Sequence, residues 1–333
     1  MGPTRSAGGR VVLSERRSQV RTVVLGNSGA SVSAMCLGAM LFGSRIDEAT
    51  SMRLLDLYVE AGGTFIDTAN VYAKWIPGCE GGESEALLGR WMKQRGNRAK
   101  LFIATKMGSR LQASGRGLRP QQIVEECDRS LRRMGIETID LYYAHFFCPT
   151  TPVEESMAAF DRLRKAGKVR FLGASNHPAW RLAEANAVAA ARGLTPYCCI
   201  QQRYSYLWPR RDASFDVQVA ATPELLDYCR ERKVTMLAYS PLLGGAYGRP
   251  DRDFDKRYDT PEKARRLEAL ASVARERNVS PNVVVLAWMM QSDPPVIPIF
   301  SASTESQMKE NLSALALRLS DSDMRRLNGP ADA

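Results

Sequence analysis

Four side chains in the first half of the chain could together move a proton: Asp67, Tyr72, Lys106 and His145. Each ends, or lies just beyond, a short run of strand-forming residues. Asp67 follows Thr64, Phe65 and Ile66, Tyr72 stands in the polar loop behind it, Lys106 ends "LFIATK", and His145 ends "DLYYAH". A buried carboxylate and a buried ammonium are each costly unless paired. Their places at neighbouring strand ends predict a Lys106–Asp67 pair. A cation beside a phenol favours phenolate, so Lys106 is expected to lower the Tyr72 pKa until Tyr72 can pass a proton near neutral pH. Asp67 then positions Lys106, and Lys106 tunes Tyr72.

Such a cluster needs a frame that brings strand ends together. From residue 33 onward, eight apolar runs recur: "AMCLGAM", "TFID", "LFIATK", "TIDLYYAH", "VRFLGAS", "CCIQQ", "TMLAYS" and "PVIPIF". Longer segments with helical spacing lie between them. In "ATSMRLLDLYVEAGG", Met52, Leu55 and Val59 share one face and Gly62–Gly63 make the stop. "RPQQIVEECDRSLRRMG" has Pro120 in its first turn and Gly135 after its last. "TPVEESMAAFDRLRKAGK" and "SPNVVVLAWMMQS" begin with Thr or Ser before Pro, a helix-start signal. Strand–helix alternation implies parallel strands, and eight repeats predict a single (β/α)8 barrel whose active site lies at the C-terminal strand ends. An open doubly wound sheet would carry G-x-G-x-x-G after its first strand, which this chain lacks. The domain is expected over residues 23–333, with 1–22 a basic tail and "RTVVLGNSGASV" a short hairpin plugging the barrel's bottom.

Composition narrows the functional classes. The 333 residues are 44% hydrophobic and 25% charged, as in a globular protein with ample core, and carry a formal net charge of +10. Part of that excess is local: Arg5, Arg10, Arg16, Arg17 and Arg21 face only Glu15, as in a solvated tail. No basic helix with interleaved aromatics exists, so no nucleic-acid partner is expected. No apolar run reaches the roughly 18 residues that suggest a membrane span, and no membrane partner is expected. The twin arginine Arg16–Arg17 lacks the continuous apolar stretch of an export signal. Seven scattered cysteines without a C-x-x-C pair, and only two histidines, make a metal site unexpected and fit reduced thiols in a cytoplasmic protein.

Beyond this physical reading, the chain resembles the aldo-keto reductases. The similarity is carried in order by "GTFIDTANVY", "FIATKMG", "DLYYAH", "VRFLGASN", "IQQRYSYL", "LAYSPLLGG" and "IPIFSASTESQMKEN", and spans nearly everything after residue 22. It implies a nicotinamide-dependent oxidoreductase that reduces an aldehyde or ketone, with an extended cofactor across the barrel mouth. By that resemblance Tyr72 is the general acid, Lys106 lowers its pKa, Asp67 holds Lys106, and His145 orients the carbonyl oxygen. Ser175, Asn176 and Gln201 match positions on the nicotinamide carboxamide, and Tyr239 matches the ring stacked on the nicotinamide. Ser240, Leu242 and Gly244 match the pyrophosphate loop. Gln307, Glu310 and Asn311 match the adenosine end, with Ser301 and Ser303 where a 2′-phosphate would lie.

In this last motif the chain departs from the NADP-preferring pattern, which usually places Lys or Arg there. Lys309, two residues on from Gln307, is expected on a different helix face. The resemblance therefore argues for NADP(H) and the residues for NAD(H). Trp75, Tyr206 and Trp208, in loops after strand candidates, are expected to wall a substrate pocket for a sugar-like or a flat apolar carbonyl compound. His177 reads as a partly exposed loop residue. The charged stretch "DRDFDKRYDTPEKARR" reads as a solvated loop that could close over cofactor. Two other readings fit the same motifs: a redox-sensing nicotinamide-binding scaffold like the potassium-channel β subunits, and an enzyme acting on a nucleotide sugar or conjugated double bond.

Overall fold

The computed structural model describes residues 21–115, 117–249 and 251–329, so nearly all of the Arg-rich opening lies outside the described residues. Its last residue, Thr22, already belongs to a strand. An antiparallel hairpin comes first, β1 (Thr22–Val24) and β2 (Ser31–Ser33). Eight parallel strands then form the barrel: β3 (Cys36–Gly38), β4 (Phe65–Asp67), β5 (Phe102–Met107), β6 (Ile139–Ala144), β7 (Val169–Ser175), β8 (Cys199–Arg203), β9 (Thr235–Tyr239) and β10 (Val296–Phe300). They pair in chain order, and β10 closes the ring between β9 and β3. All eight apolar runs are strands of this (β/α)8 barrel.

The helices outside are α1 (Glu48–Glu60), α2 (Glu83–Arg95), α3 (Pro120–Met134), α4 (Val153–Lys165), α5 (Ala179–Ala191), α6 (Pro223–Arg232), α7 (Lys263–Arg277), α8 (Pro281–Gln291), α9 (Glu305–Ser313) and α10 (Asp321–Asn328). Local signals place their ends. Pro120 opens α3 and Gly135 ends it in the left-handed conformation, while the Ser280 side chain caps α8 by accepting from Val283 N–H. The start of α4 differs from expectation, because Pro152 occupies the cap position with no side-chain bond. On α1 the buried face is Ser51, Leu54, Leu55 and Tyr58, with Met52 and Val59 only partly buried. Tyr58 turns the helix this way: its hydroxyl lies 2.8 Å from Met35 O and 3.0 Å from Phe65 O, carbonyls at the barrel strands.

The barrel interior is a packed core. Phe65, Phe102, Leu141, Tyr143, Leu237 and Ile297 fill it, and Leu25 and Val32 of the hairpin seal it from below. Two polar ties seat the hairpin: Gly26 N–H donates to Thr235 Oγ1 (2.6 Å), and Thr64 N–H donates to Ser33 Oγ (2.7 Å). No helix among the described residues is long and apolar enough to cross a membrane.

The hairpin's turn offers a matched pair of substitutions. Gly26 (φ +55°) has no room, since a Cβ would stand 2.0 Å from Cys198 O, whereas Gly29 (φ +74°) faces open space. Gly29→Ala should cost about 1 kcal/mol, the conformational penalty alone. Gly26→Ala should cost about 2–4 kcal/mol, because the steric clash adds to it. Urea denaturation of the two variants would show equal losses if the hairpin were not seated on the barrel.

Candidate active site

Strand register builds the centre. Asp67 at the end of β4 pairs with Ala104 of β5. Lys106, two residues beyond Ala104, therefore points to the same inward side one layer higher. The Lys106 side chain is fully buried, and its ammonium spends three N–H bonds: on an Asp67 carboxylate oxygen, on Thr68 O at 2.7 Å, and on Tyr72 Oη at 2.7 Å. The other Asp67 oxygen accepts from Gln201 Nε2 (2.9 Å) on β8, across the barrel. His145 continues β6, its N–H bonded to Met107 O (2.7 Å), and its ring lies 6.2 Å from that of Tyr72. The structure thus brings all four predicted residues together.

Electrostatics at the centre differ from expectation in one respect. Burial pushes the Tyr72 phenol up to about 12; Lys106 pulls it down, as foreseen, but Asp67 pushes it up again. The net direction is upward because desolvation of a phenolate outweighs one ammonium that Asp67 already neutralises. Burial also lowers Lys106, yet Asp67 and Tyr72 more than offset this and hold it above the ordinary lysine value. His145 is pushed well below the ordinary histidine value, first by burial and then by the Lys106 cation. Its Nδ1 is buried without a hydrogen-bond partner among the described residues. The arrangement at neutral pH is a protonated phenol, a protonated lysine and a neutral imidazole. A phenol that only accepts from an ammonium keeps its own proton free to donate.

Around this centre the residues expected at the cofactor fall into three groups. Ser175 ends β7 and Asn176 follows it in the left-handed conformation (φ +54°). The Asn176 amide is already engaged: Nδ2 donates to His145 O (3.1 Å) and Oδ1 accepts from Tyr239 Oη (2.7 Å) and Val219 N–H (3.1 Å). Gln201 holds Asp67, and its Oε1 accepts from no donor among the described residues. Behind β9, Ser240, Leu243, Gly244 and Gly245 all have positive φ, and the tight turn they make is closed by Leu243 N–H donating to Ser240 O (3.2 Å) and Gly245 N–H to Leu242 O (2.8 Å). Near α9, Gln307 Oε1 accepts from Ser303 N–H and Oγ (both 2.9 Å), and Asn311 Nδ2 donates to Ser301 O (3.2 Å). Glu310 accepts from Ser280 Oγ (2.5 Å) and Asn282 Nδ2 (3.5 Å) at the start of α8. Lys309 turns to Glu305, at 3.7 Å. Leu242 packs against the core at the start of the positive-φ turn.

Next to that turn lies a recess of about 710 Å³, lined in part by Gly248, Arg249, Arg252, Lys256, Lys263 and Pro281. The charged stretch expected as a solvated loop that could close over cofactor lines this recess beside the expected phosphate loop, with Arg249 and Lys263 paired to Asp251 and Asp259. Arg252 already reaches the turn, donating to Gly244 O at 2.6 Å. The residues present fit an extended dinucleotide: a recess carrying Arg252 and Lys256 beside the glycine turn, and polar side chains toward Tyr72.

The expected pocket wall is revised. Trp75 stands beside Tyr72, ring centroids 6.2 Å apart, and is exposed at the mouth. Tyr206 is fully buried instead, its hydroxyl bonded to Arg266 O (3.1 Å) and Leu327 O (3.0 Å) in the helical shell. Trp208 packs on Tyr204, which stacks on Trp288 of α8, and belongs to the same shell. His177 is buried rather than exposed, with Nδ1 2.8 Å from Ser175 O. Two aromatic residues that sequence reasoning missed pack beside His145 and the start of α5. Phe146 stacks on His145 (4.4 Å), and Phe147 meets Trp180 (6.4 Å). Phe146 and Phe147 directly follow a strand-end histidine, a signal that could have found them.

These features coincide with a known family. The Aldo/keto reductase family matches residues 34–331, and the chain belongs to it; it is an oxidoreductase of that family. It is 33% identical over 326 residues to a norsolorinic acid reductase of Aspergillus flavus, covering 92% of this chain and 79% of the relative. An aldo-keto reductase named with NADP(+) from Schizosaccharomyces pombe is 30% identical, covering 89% and 87%. The crystal structure of a thermostable aldo-keto reductase, Tm1743, with the inhibitor epalrestat superposes with a TM-score of 0.73 at 26% identity, covering 92% and 98%.

Both histidines, His145 and His177, are buried, and burial pushes both down, His177 to about 4. Each should stay neutral as pH falls through the ordinary histidine range. Proton NMR of the two Cε1–H resonances should show no titration between about pH 8 and pH 5.5. A midpoint near 6.5 for either would contradict the buried geometry.

Proposed function

We propose that this protein reduces the carbonyl of an aromatic aldehyde or ketone to the alcohol with NADP(H), Tyr72 donating the proton. The observation that carries the reading is the Lys106 ammonium, whose three donors leave Tyr72 able only to accept from it. A nicotinamide held at these residues would supply the hydride for the carbonyl carbon. Tyr72 gives its proton to the carbonyl oxygen, and the tyrosinate left behind is stabilised by Lys106 until it regains a proton from water. Neutral His145 donates a hydrogen bond that orients the same oxygen. Ser175, Asn176 and Gln201 meet the carboxamide, Tyr239 the ring face, Ser240, Leu242 and Gly244 the pyrophosphate, and Gln307, Glu310 and Asn311 the adenosine, with Ser301 and Ser303 beside them.

NADP(H) is favoured over NAD(H) by the basic recess. Its lining holds four cations; Arg249 is paired with Asp251 and Lys263 with Asp259, while Arg252 and Lys256 have no carboxylate partner among the described residues. They supply charge-assisted donors for a further phosphate that the 301–311 motif lacks. The name of the fission-yeast relative accords with this. An aromatic substrate is favoured by the rim. Of the five large hydrophobic residues exposed among those described, Met40, Trp75 and Leu111 stand in loops that follow barrel strands, and Trp180 stands in the first turn of α5, behind β7. Flat rings fit such walls, whereas a sugar needs hydroxyl partners.

Fluorescence titration should give NADPH an affinity at least about tenfold above NADH, and equal affinities would reject the NADP reading. Tyr72→Phe should keep NADPH binding but lose about a hundredfold or more of carbonyl turnover. Retained turnover would remove Tyr72 from the chemistry. Between substituted benzaldehydes and aldoses, kcat/KM should favour the aromatic series by about a hundredfold; the reverse order would reject the substrate class.

A further inference from the structure

A carboxylate stands buried where neither the reaction nor the cofactor uses it. Glu126, on the inward side of α3, is 2% exposed. One of its oxygens accepts from Arg129 Nη1 (2.7 Å) and the other from Asn70 Nδ2 (2.8 Å). A hydrogen bond to an ionised acceptor is stronger and more directional than one between neutral groups, and burying the carboxylate is costly. An apolar residue would hold α3 against the barrel as well, so the placement of Asn70 is what Glu126 adds.

Asn70 lies two residues before Tyr72 and is itself buried. Its backbone N–H donates to Lys106 O (3.2 Å), and its amide also reaches Gln112 Oε1 (3.4 Å). Gln112 Oε1 in turn accepts from Gly108 N–H (2.7 Å), just beyond β5. Asn70 is thus a node between the loop that carries Tyr72, the strand that carries Lys106, and α3. On its far side the Tyr72 backbone is tied by Gly82 N–H donating to Tyr72 O at 3.2 Å. We infer that Asn70 and Glu126 are positioning residues for the reaction: together they hold Tyr72 Oη in contact with the Lys106 ammonium. The inference rests on the reading of Tyr72 as the proton donor and extends it to a pair that touches neither substrate nor cofactor.

The test compares Asn70→Ala, Glu126→Ala and Glu126→Gln in full-length protein, assayed well below each melting midpoint. Both alanine variants should lose about tenfold or more in kcat, with KM for the carbonyl substrate within about twofold, since a misplaced proton donor weakens the transition state and not substrate binding. In alcohol oxidation, which needs the tyrosinate, the rise of kcat with pH should move to higher pH, because Tyr72 loses the cation that favours its ionised form. Glu126→Gln keeps a carbonyl acceptor in the same place and should retain at least about a third of kcat. The double alanine variant should be no worse than the poorer single one, as for two members of one contact. If Asn70→Ala does not fold, Asn70→Ser, whose hydroxyl is too short to reach Glu126, reads the same loss. Wild-type kcat and an unmoved pH profile in a folded Asn70 variant, however low its melting midpoint, would overturn the inference and leave the pair a structural tie. Full turnover by Tyr72→Phe would instead overturn the reading of Tyr72, and the positioning role with it.

Discussion

The structure turns on one buried charge. A lysine ammonium has three protons and no lone pair, so wherever Lys106 is buried it must find three acceptors. It finds them on three successive features of one strand end: the Asp67 carboxylate, the Thr68 carbonyl and the Tyr72 hydroxyl oxygen. Removing any acceptor would leave a donor stranded in a packed interior. The loop after β4 is therefore not free to choose its path. Gln201 completes the constraint from across the barrel by satisfying the second Asp67 oxygen, so the charge is held by β4, β5 and β8 at once.

Burial and charge act on this cluster in different directions, and their balance gives each group one stable form. Tyr72 is raised to about 12 and His145 is pushed well below its ordinary value. In a loosely hydrated site the imidazole would titrate near neutrality and the phenol at its ordinary value of about 10. Here desolvation separates them, so the phenol keeps its proton and the imidazole does not take one on. Pairs of groups whose environments drive their pKa values apart are what acid–base chemistry at constant pH requires.

What the sequence made legible was local. Asp67 and Lys106 stand out because each breaks a run of strand formers, and strand period then puts them on one face. Pro120, Gly135 and Ser280 mark helix ends by their own conformational preferences. The rest depended on distances along the chain that no pattern encodes. Tyr206 lies in a loop as plausible for the mouth as Trp75, yet its hydroxyl is drawn outward by carbonyls of Arg266 and Leu327, 60 and 121 residues away. The recess cations Arg249, Arg252, Lys256 and Lys263 lie some fifty residues before the 301–311 motif, and nothing in that motif points to them. The sign of the Tyr72 shift was missed because counting neighbouring charges omits desolvation, which needs the packed barrel to evaluate.

The division between floor and rim has its own logic. The polar centre stands on strand ends whose register is fixed by the closed sheet, so its geometry can change little without opening the barrel. The apolar mouth is scattered over separate segments, with Met40, Trp75 and Leu111 each on a different loop and Trp180 in the first turn of α5. On the proposed reading, a substrate ring seated among them would exclude water from the Tyr72 and His145 donors and so strengthen the electrostatic contacts beneath it. Such a ring makes few directional bonds, however, and the carbonyl oxygen must be oriented from below by the two donors alone. Chemistry is thereby assigned to the strands and selectivity to the loops. It follows that the loops can be exchanged for other substrates while Lys106 continues to demand the same three acceptors.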